Sequence, residues 1–296
     1  MLEFRRMSTC SFQTAVEVWN EGFQGYAIDL TLSLDSFLSR LTANGISPDH
    51  SFVAFNEGAP VGFVLTALRT EGDLKLAWNG GTGVIPAMRG KGVGKALIDA
   101  AIELYETELV DVALLEAIDT NKNAIKLYEK FGFQIVDELS LLRSEDPGDA
   151  FAQAAKTHDY RITHVPPEVV AKLPFYQKLS AWQTQAQSIR LNHGEAFVVS
   201  DARPAPVGYA LFKRVFNEAG KLVSIALYQC EVAPDQPDAE LIATVALNSI
   251  FPLESNYRRM TSNLRKSNTL VTDLLLNAGF TTFIDQVHMI KKIRKQ

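Results

Sequence analysis

The sequence predicts an α/β protein made of two copies of one fold, each a mixed, mostly antiparallel sheet flanked by helices. Three observations carry that expectation. A glycine-dense run, Arg89-Gly90-Lys91-Gly92-Val93-Gly94, lies between the apolar strand end Gly83-Val84-Ile85 and the apolar helical stretch Ala96-Leu97-Ile98. A second block, residues 114–133, reads strand, helix, glycine, strand. A hairpin signature upstream of both, and the second block itself, recur in the C-terminal half.

In chain order, Val18-Trp19-Asn20-Glu21-Gly22-Phe23-Gln24-Gly25-Tyr26 reads as the end of a first helix and the loop that follows. Trp19 and Phe23 stand at helical spacing and read as core, whereas Tyr26, after Gly25, is free to line a site. Ser51-Phe52-Val53-Ala54-Phe55 and Val61-Gly62-Phe63-Val64-Leu65 flank the turn Asn56-Glu57-Gly58-Ala59-Pro60, a hairpin pattern. At residues 89–94 a strand gives way to a glycine turn and then a helix. Such a turn leaves several N–H groups unpaired at the positive end of a helix dipole, which suits a diphosphate. Glycine permits positive φ and close approach of phosphate oxygens. The spacing excludes two nucleotide motifs: a P-loop needs Ser or Thr after Gly94-Lys95 and finds Ala96, and a dinucleotide fingerprint from Gly90 finds Lys95 where glycine or alanine is required.

In residues 114–133, Asn121 reads as a helix N-cap, Gly132 as the residue that ends the helix, and Ala124, Leu127, Tyr128 and Phe131 as one inward face. The R-x-x-G-x-G run from Arg89 to Gly94 resembles the acetyl-CoA pyrophosphate loop of the GNAT family of N-acetyltransferases. The N-x-x-A-x-x-L-Y-x-x-x-G-F run from Asn121 to Phe133 resembles that family's fifth-strand and fourth-helix block. The resemblance implies acetyl-CoA as co-substrate, with its pyrophosphate on Arg89, Gly90, Lys91, Gly92, Val93, Gly94 and Lys95. It implies a pantetheine arm along Val84 and Ile85, where the fourth and fifth strands splay, with Asn121 and Asn123 bonding to that arm. Val84 N–H would polarise the thioester carbonyl and Tyr128 would protonate the departing thiolate.

The offset of 147 residues takes Asn121 to Phe133 onto Asn268 to Phe280, and Ala196-Phe197-Val198-Val199-Ser200 with Val207-Gly208-Tyr209-Ala210-Leu211 repeat the hairpin. The division expected is a catalytic GNAT domain over 1–145, a polar connector over 146–158 and a degenerate GNAT-like domain over 159–296. The second copy lacks the chemistry. Leu275 replaces Tyr128, and Pro237, Glu240 and Ile242 stand against Arg89, Gly92 and Gly94. A missing N–H, an added negative charge and a β-branched side chain each oppose a diphosphate.

Glu116, on the strand before the Tyr128 helix, is the first candidate for general base. Glu71 and Asp73 are further carboxylates before the fourth strand. Many family members carry a carboxylate on that strand; Trp78-Asn79-Gly80-Gly81-Thr82-Gly83 has none, so a water relay is an alternative. Phe23, Tyr26 and Trp78 would give an aromatic cleft for the acceptor, expected to be a small-molecule amine. A reading of another class stays open: a non-catalytic acetyl-CoA sensor or regulatory subunit.

Composition narrows the classes. A chain of 296 residues, 47% hydrophobic, can bury two cores. A formal charge of -5 argues against general nucleic-acid binding. Cys10 and Cys230 form neither a disulfide framework nor a metal site, so no metal is expected and a reducing, cytoplasmic setting fits. The N-terminal residues lack a signal-peptide core, and no apolar run is long enough to span a bilayer. Two GNAT folds in one chain suit either a monomer with internal pseudo-symmetry or a homodimer.

Overall fold

The computed structural model describes residues 2–26, 28–145, 151, 159–203, 205–252 and 257–294. Contacts group the chain into two compact units. The connector expected over 146–158 lies outside the described residues except for Phe151, which is buried.

Unit 1 comprises β1 (Leu2–Arg6), α1 (Phe12–Gly22), α2 (Leu34–Asn44), β2 (Phe52–Asn56), β3 (Ala59–Glu71), β4 (Leu74–Val84), α3 (Val93–Thr107), most of β5 (Val112–Ile118) and α4 (Lys122–Lys130). Its strands run in the order β1-β2-β3-β4-β5, antiparallel up to β4 and parallel between β4 and β5. The β2–β3 hairpin turns through Glu57 and Gly58, with φ of 53° and 81°. Two successive positive φ values match the right-handed twist of the strands, and glycine adopts them freely. Ser11 caps α1 by accepting the Thr14 N–H, and Asn121 caps α4 by accepting the Ala124 N–H, as its sequence position predicts. The inward face of α4 is carried by buried Ile125 and Tyr128, with Ala124, Leu127 and Phe131 half-buried beside them.

Unit 2 comprises β6 (Gln134–Ser144), β7 (Arg161–Val165), α5 (Pro167–Val170), α6 (Ala186–Leu191), β8 (Glu195–Ser200), β9 (Pro206–Phe216), β10 (Leu222–Val232), α7 (Ala239–Ile250), β11 (Arg258–Thr261), β12 (Leu264–Arg265), α8 (Thr269–Asn277) and most of β13 (Thr281–Lys292). Its strands follow the order β13-β6-β11-β10-β9-β8-β7, with β10 and β11 parallel. The repeat read from the sequence is thus a repeat of structure. Asn268 caps α8 at φ −84° and ψ 71°, matching Asn121 at −80° and 64°.

The units interleave in sequence, which the division at 145 and 159 does not show. From Val136 onward β6 belongs to unit 2, where Ser144 and Arg143 pair with Arg259 and Met260 of β11. Residues from Met289 return to unit 1, where Ile293 N–H donates to the Asp111 carbonyl at 2.9 Å. β6 thus lies in unit 2 from Val136, while β13 runs through unit 2 as far as His288 and only its end, from Met289, belongs to unit 1.

In unit 1 the end of α1 is pressed against β4. A Cβ at Gly83 would lie 2.5 Å from the Phe63 ring, and one at Gly22 would lie 2.9 Å from it. Two facing glycines therefore let the helix approach the strand with one phenyl ring lying across both. Gly83→Ala should cost about 1–3 kcal/mol through forced displacement of that ring. Urea unfolding of the full chain measures it, and an unchanged midpoint would mean the contact is slack.

Candidate active site in the first unit

The ladder between β4 and β5 is short. It pairs Leu76, Ala77, Trp78 and Asn79 with Val112, Ala113, Leu114 and Leu115, and stops there. On its other side β4 stays paired with β3 as far as Val84, with an irregularity between Asn79 and Gly81 that leaves Gly80 as the extra residue. A bulge bends its strand and ends pairing, so residues 80–84 keep an edge open where β5 diverges. Ile85 N–H bonds to the Val61 carbonyl at 3.0 Å, on the β3 side. Alternation along the strand then turns the Val84 N–H toward the open edge.

The glycine run follows at once. Gly90 and Gly92 have φ of 76° and 85°, and no atom lies within 4 Å of a Cβ built at either, so backbone conformation rather than crowding demands glycine there. Gly92 is the N-cap of α3 and, having no side chain, supplies no acceptor to the amides of Val93, Gly94 and Lys95. Lys91 and Lys95 are exposed beside these amides. This is a cradle for an anion, with open N–H groups and the positive helix end together.

Arg89 takes a different part from the one its motif position suggests. Its Nε donates to the Val84 carbonyl at 3.0 Å, and its Nη2 donates to the carbonyls of Gly22 at 3.1 Å and Gln24 at 2.7 Å. The guanidinium is engaged with backbone oxygens on β4 and beyond α1.

Tyr128 lies at the parting of the strands. Its side chain is buried, edge-on to Phe133 at 5.9 Å between ring centroids. Burial pushes the phenol up to about 12; hydrogen bonding to Thr82 pulls the other way, Tyr26 adds to the rise and Asn79 opposes it. The phenol therefore keeps its proton at neutral pH. Asn79 and Thr82, which bond to one another through Asn79 Nδ2 and Thr82 Oγ1 at 2.9 Å, are functional neighbours that sequence reasoning missed. Their spacing of three across two glycines is the signal, since a bulge brings such residues onto one face.

Asn121 Nδ2 donates to the Tyr26 hydroxyl at 3.0 Å while its Oδ1 caps α4. Tyr26 is thereby joined to the Tyr128 cluster. Asn123 is exposed on the first turn of α4. Phe23 packs edge-on to Tyr26 at 5.2 Å and to Trp19 at 4.6 Å. Phe23 and Tyr26 line a cavity of about 330 Å³ with Asn20, Ile28, Asp29 and Leu30. The loop holding it is tied to α1, since Trp19 Nε1 donates to the Leu30 carbonyl and the Asn20 amide bonds twice to Leu32. Asp29 accepts the Thr31 N–H, and hydrogen bonding to Thr31 holds its carboxyl below the usual range.

Two expectations need revision, and Glu116 has further partners. Trp78 does not line this cavity: it is 2% exposed, and its indole N–H donates to Glu116 Oε2 at 2.7 Å. Glu71 and Asp73 belong to the tip of the β3–β4 hairpin, at the start of β4. Six strand residues, about 20 Å, separate that tip from the bulge, so neither reaches the parting. Glu116 holds the Trp78 indole and is the charge partner of Arg40, whose pKa burial lowers against the pull of Glu116. Arg40, unremarked in the sequence, donates to the Gly80 carbonyl at 3.0 Å and lies over Trp19 at 4.9 Å.

The acetyltransferase (GNAT) family model matches residues 12–133, the stretch that holds every one of these groups. Residues 12–133 are similar to the acetyltransferases of the GNAT family. Over 124 residues it is 34% identical to mycothiol acetyltransferase of Propionibacterium freudenreichii subsp. shermanii, covering 41% of this chain and 37% of that protein. Over 92 residues it is 32% identical to N-alpha-acetyltransferase 30 of Dictyostelium discoideum, covering 31% and 50%. The chain thus spans half or less of the curated relatives it matches. A tandem GNAT protein from the clavulanic acid biosynthesis pathway, solved without acetyl-CoA, superposes over 100% of both chains with a TM-score of 0.62 at 14% identity. The likeness establishes a tandem GNAT fold for the whole chain. Among the described residues no helix is long and apolar enough to cross a membrane.

The second GNAT copy treats the same edge differently. β10 and β11 pair from Ser224 with Arg258 to Leu227 with Thr261. Beyond that point Asn268 Nδ2 donates to the Cys230 carbonyl at 2.8 Å, and Arg265 Nη2 meets Glu231 Oε1 at 3.0 Å. Two side chains span the parting. Burial pushes the Glu231 carboxyl up, with Arg265 opposing. At the start of α7 stand Asp238 as N-cap and Glu240 in the first turn, while Ile242 is wholly buried against Gly208.

A raised phenol pKa fixes a sign at alkaline pH. Folded Tyr128 retains a proton that the unfolded chain releases near its ordinary value of 10. Its contribution to stability is complete below about pH 10 and is lost as pH rises toward 12. In paired urea titrations, Tyr128→Phe should remove roughly 2 kcal/mol of the fall in unfolding free energy across that window. Identical pH slopes in the two proteins would mean that the phenol is solvated.

Proposed function

We propose that the first unit is an acetyl-CoA-dependent N-acetyltransferase acting on the primary amine of a small-molecule acceptor. One contrast inside the chain carries the reading. The edge of β4 is left open beside a buried, protonated Tyr128, while the matching edge of β10 is bridged by Asn268 and Arg265. On this reading residues 1–145 form the catalytic copy, 146–158 the connector, and 159–296 a copy that kept the fold and lost the cofactor site.

The residues present fit the cofactor. A Cβ at Gly94 would meet Leu127 Cδ2 and Val84 Cγ2 at an ordinary 3.7 Å, so nothing in the protein's own packing requires glycine there. A ligand lying on the amides does. Gly90 through Lys95, Val84, Ile85, Asn121 and Asn123 would hold acetyl-CoA, which supplies a thioester-activated acetyl group. Val84 N–H is placed to stabilise oxyanion charge. Tyr128 holds a proton at its hydroxyl for the departing sulfur. The acceptor nitrogen forms the new bond to the acetyl carbon as the carbon–sulfur bond breaks, and its surplus proton passes to Glu116 or to water. A cavity of about 330 Å³ that sets Phe23, Tyr26, Ile28 and Leu30 beside polar Asn20, Gln24 and Thr31 and the carboxylate of Asp29 suits a small amine.

Gly94→Ala should leave the unfolding midpoint unchanged or raise it, since alanine is the better helix former. Acetyl-CoA binding, read by calorimetry, should weaken about tenfold or more. Binding that survived with full strength would remove the cradle from this turn. Tyr128→Phe should lower amine-stimulated thiol release by about 10²-fold or more with acetyl-CoA affinity retained. If the unmutated protein binds acetyl-CoA but no amine in a broad panel stimulates thiol release, the chain is a sensor and not a transferase.

A further inference from the structure

The guanidinium of Arg89 occupies the first position of a phosphate-binding motif yet bonds to three carbonyl oxygens, none of them in the turn itself. Val84 O lies at the open end of β4, and Gly22 O and Gln24 O lie at the end of α1 and in the loop that lines the cavity. One planar donor set thus ties together three separate pieces of chain. Gly25 adds to the contact: its φ of 74° turns the loop at this point, and a Cβ there would lie 4.0 Å from Arg89 Nη1.

The consequence for Val84 is geometrical. The N–H and C=O of one strand residue lie on the same edge, so the bond from Arg89 Nε to Val84 O sits beside the N–H proposed to polarise the thioester. The consequence for the cavity is equally direct. Gly22 and Gln24 flank Phe23, and Tyr26 follows, so the two aromatic walls hang on the carbonyls that Arg89 holds. Lysine could not serve in the same way, since a fixed fork of donors meets several oxygens at once where an ammonium acts as a point charge.

We propose that Arg89 is a positioning residue that couples the cofactor turn to the acceptor pocket rather than a phosphate ligand. Ordering of residues 89–95 by a bound cofactor is transmitted through its guanidinium to the wall formed by Phe23 and Tyr26. Acceptor affinity is therefore set only once the cofactor is in place. The inference rests on the reading of this unit as an acetyltransferase, but its first test does not need turnover.

Amide hydrogen exchange of residues 20–31 in the full chain, with and without CoA, should show protection on CoA binding. In Arg89→Met that protection should disappear while CoA affinity by calorimetry stays within about twofold, and Arg89→Lys should restore only part of it. With any acceptor amine found by screening, Arg89→Met should raise the acceptor KM about tenfold or more, with the acetyl-CoA KM little changed. A tenfold or greater loss of CoA affinity in Arg89→Met, with exchange in residues 20–31 still responding to CoA, would make the guanidinium a phosphate ligand and overturn the coupling. Absence of acetyl transfer by the unmutated protein would sink the enzymatic reading alone, since the exchange and calorimetry arms use CoA without an acceptor.

Discussion

The first unit depends on the place where β4 stops pairing with β5. Four residue pairs hold the strands together, and then the bulge at Gly80 turns β4 away. A parted pair of parallel strands exposes a row of N–H and C=O groups that must be satisfied by something. The remaining features of the site are arranged around that demand. Glycines let α1 press against the strand end, Tyr128 seals the point of parting from the helical side, and the open amides of α3 lie just past Val84. A sheet paired to its end would leave no open edge at residues 80–84.

The second unit meets the same demand with its own side chains. Asn268 and Asn121 cap their helices in nearly the same backbone geometry, and each has one amide nitrogen to spare. In the first unit the spare donor goes to the Tyr26 hydroxyl, on the acceptor side; in the second it goes to Cys230 O, on the strand edge. Arg265 completes the bridge with a partly buried pair to Glu231. Once the edge is closed by side chains, the glycine turn has no further use. Ile242 can fill the space beside Gly208, and acidic residues can stand at the N-terminus of α7, where the helix dipole favours them.

Much of this was legible because its cause is local. The cap at Asn121, the terminating Gly132 and the turn at Gly58 follow from backbone rules that operate within a few residues. The repeat was legible because duplicated folds keep their caps and turns. What escaped was set by long-range geometry. Residue type groups Trp78 with a cleft wall, yet whether a strand residue meets solvent or core is decided by packing, and Trp78 is buried. The placing of β6 in unit 2 from Val136 leaves no mark in composition or periodicity, because a strand reads as a strand wherever it pairs. Arg89 is the sharpest case. Its position in a motif identifies the turn, but its work lies with Gly22 and Gln24, more than sixty residues earlier.

The same distinction bears on the general base. Glu116 is fixed by the Trp78 indole N–H at one oxygen, which orients the carboxylate. Its second task is electrostatic. Arg40 brings a buried guanidinium into the same cluster, with Nε lacking a hydrogen-bond partner among the described residues, and Glu116 is the opposite charge that makes this cation tolerable. Removing the carboxylate would therefore uncover a buried charge and loosen the hold of Arg40 on Gly80 O, at the bulge that opens the edge. Loss of activity at Glu116 would follow from either role. The two separate only at Arg40. A change there that spares the carboxylate disturbs the bulge first and leaves the Glu116 carboxylate in place.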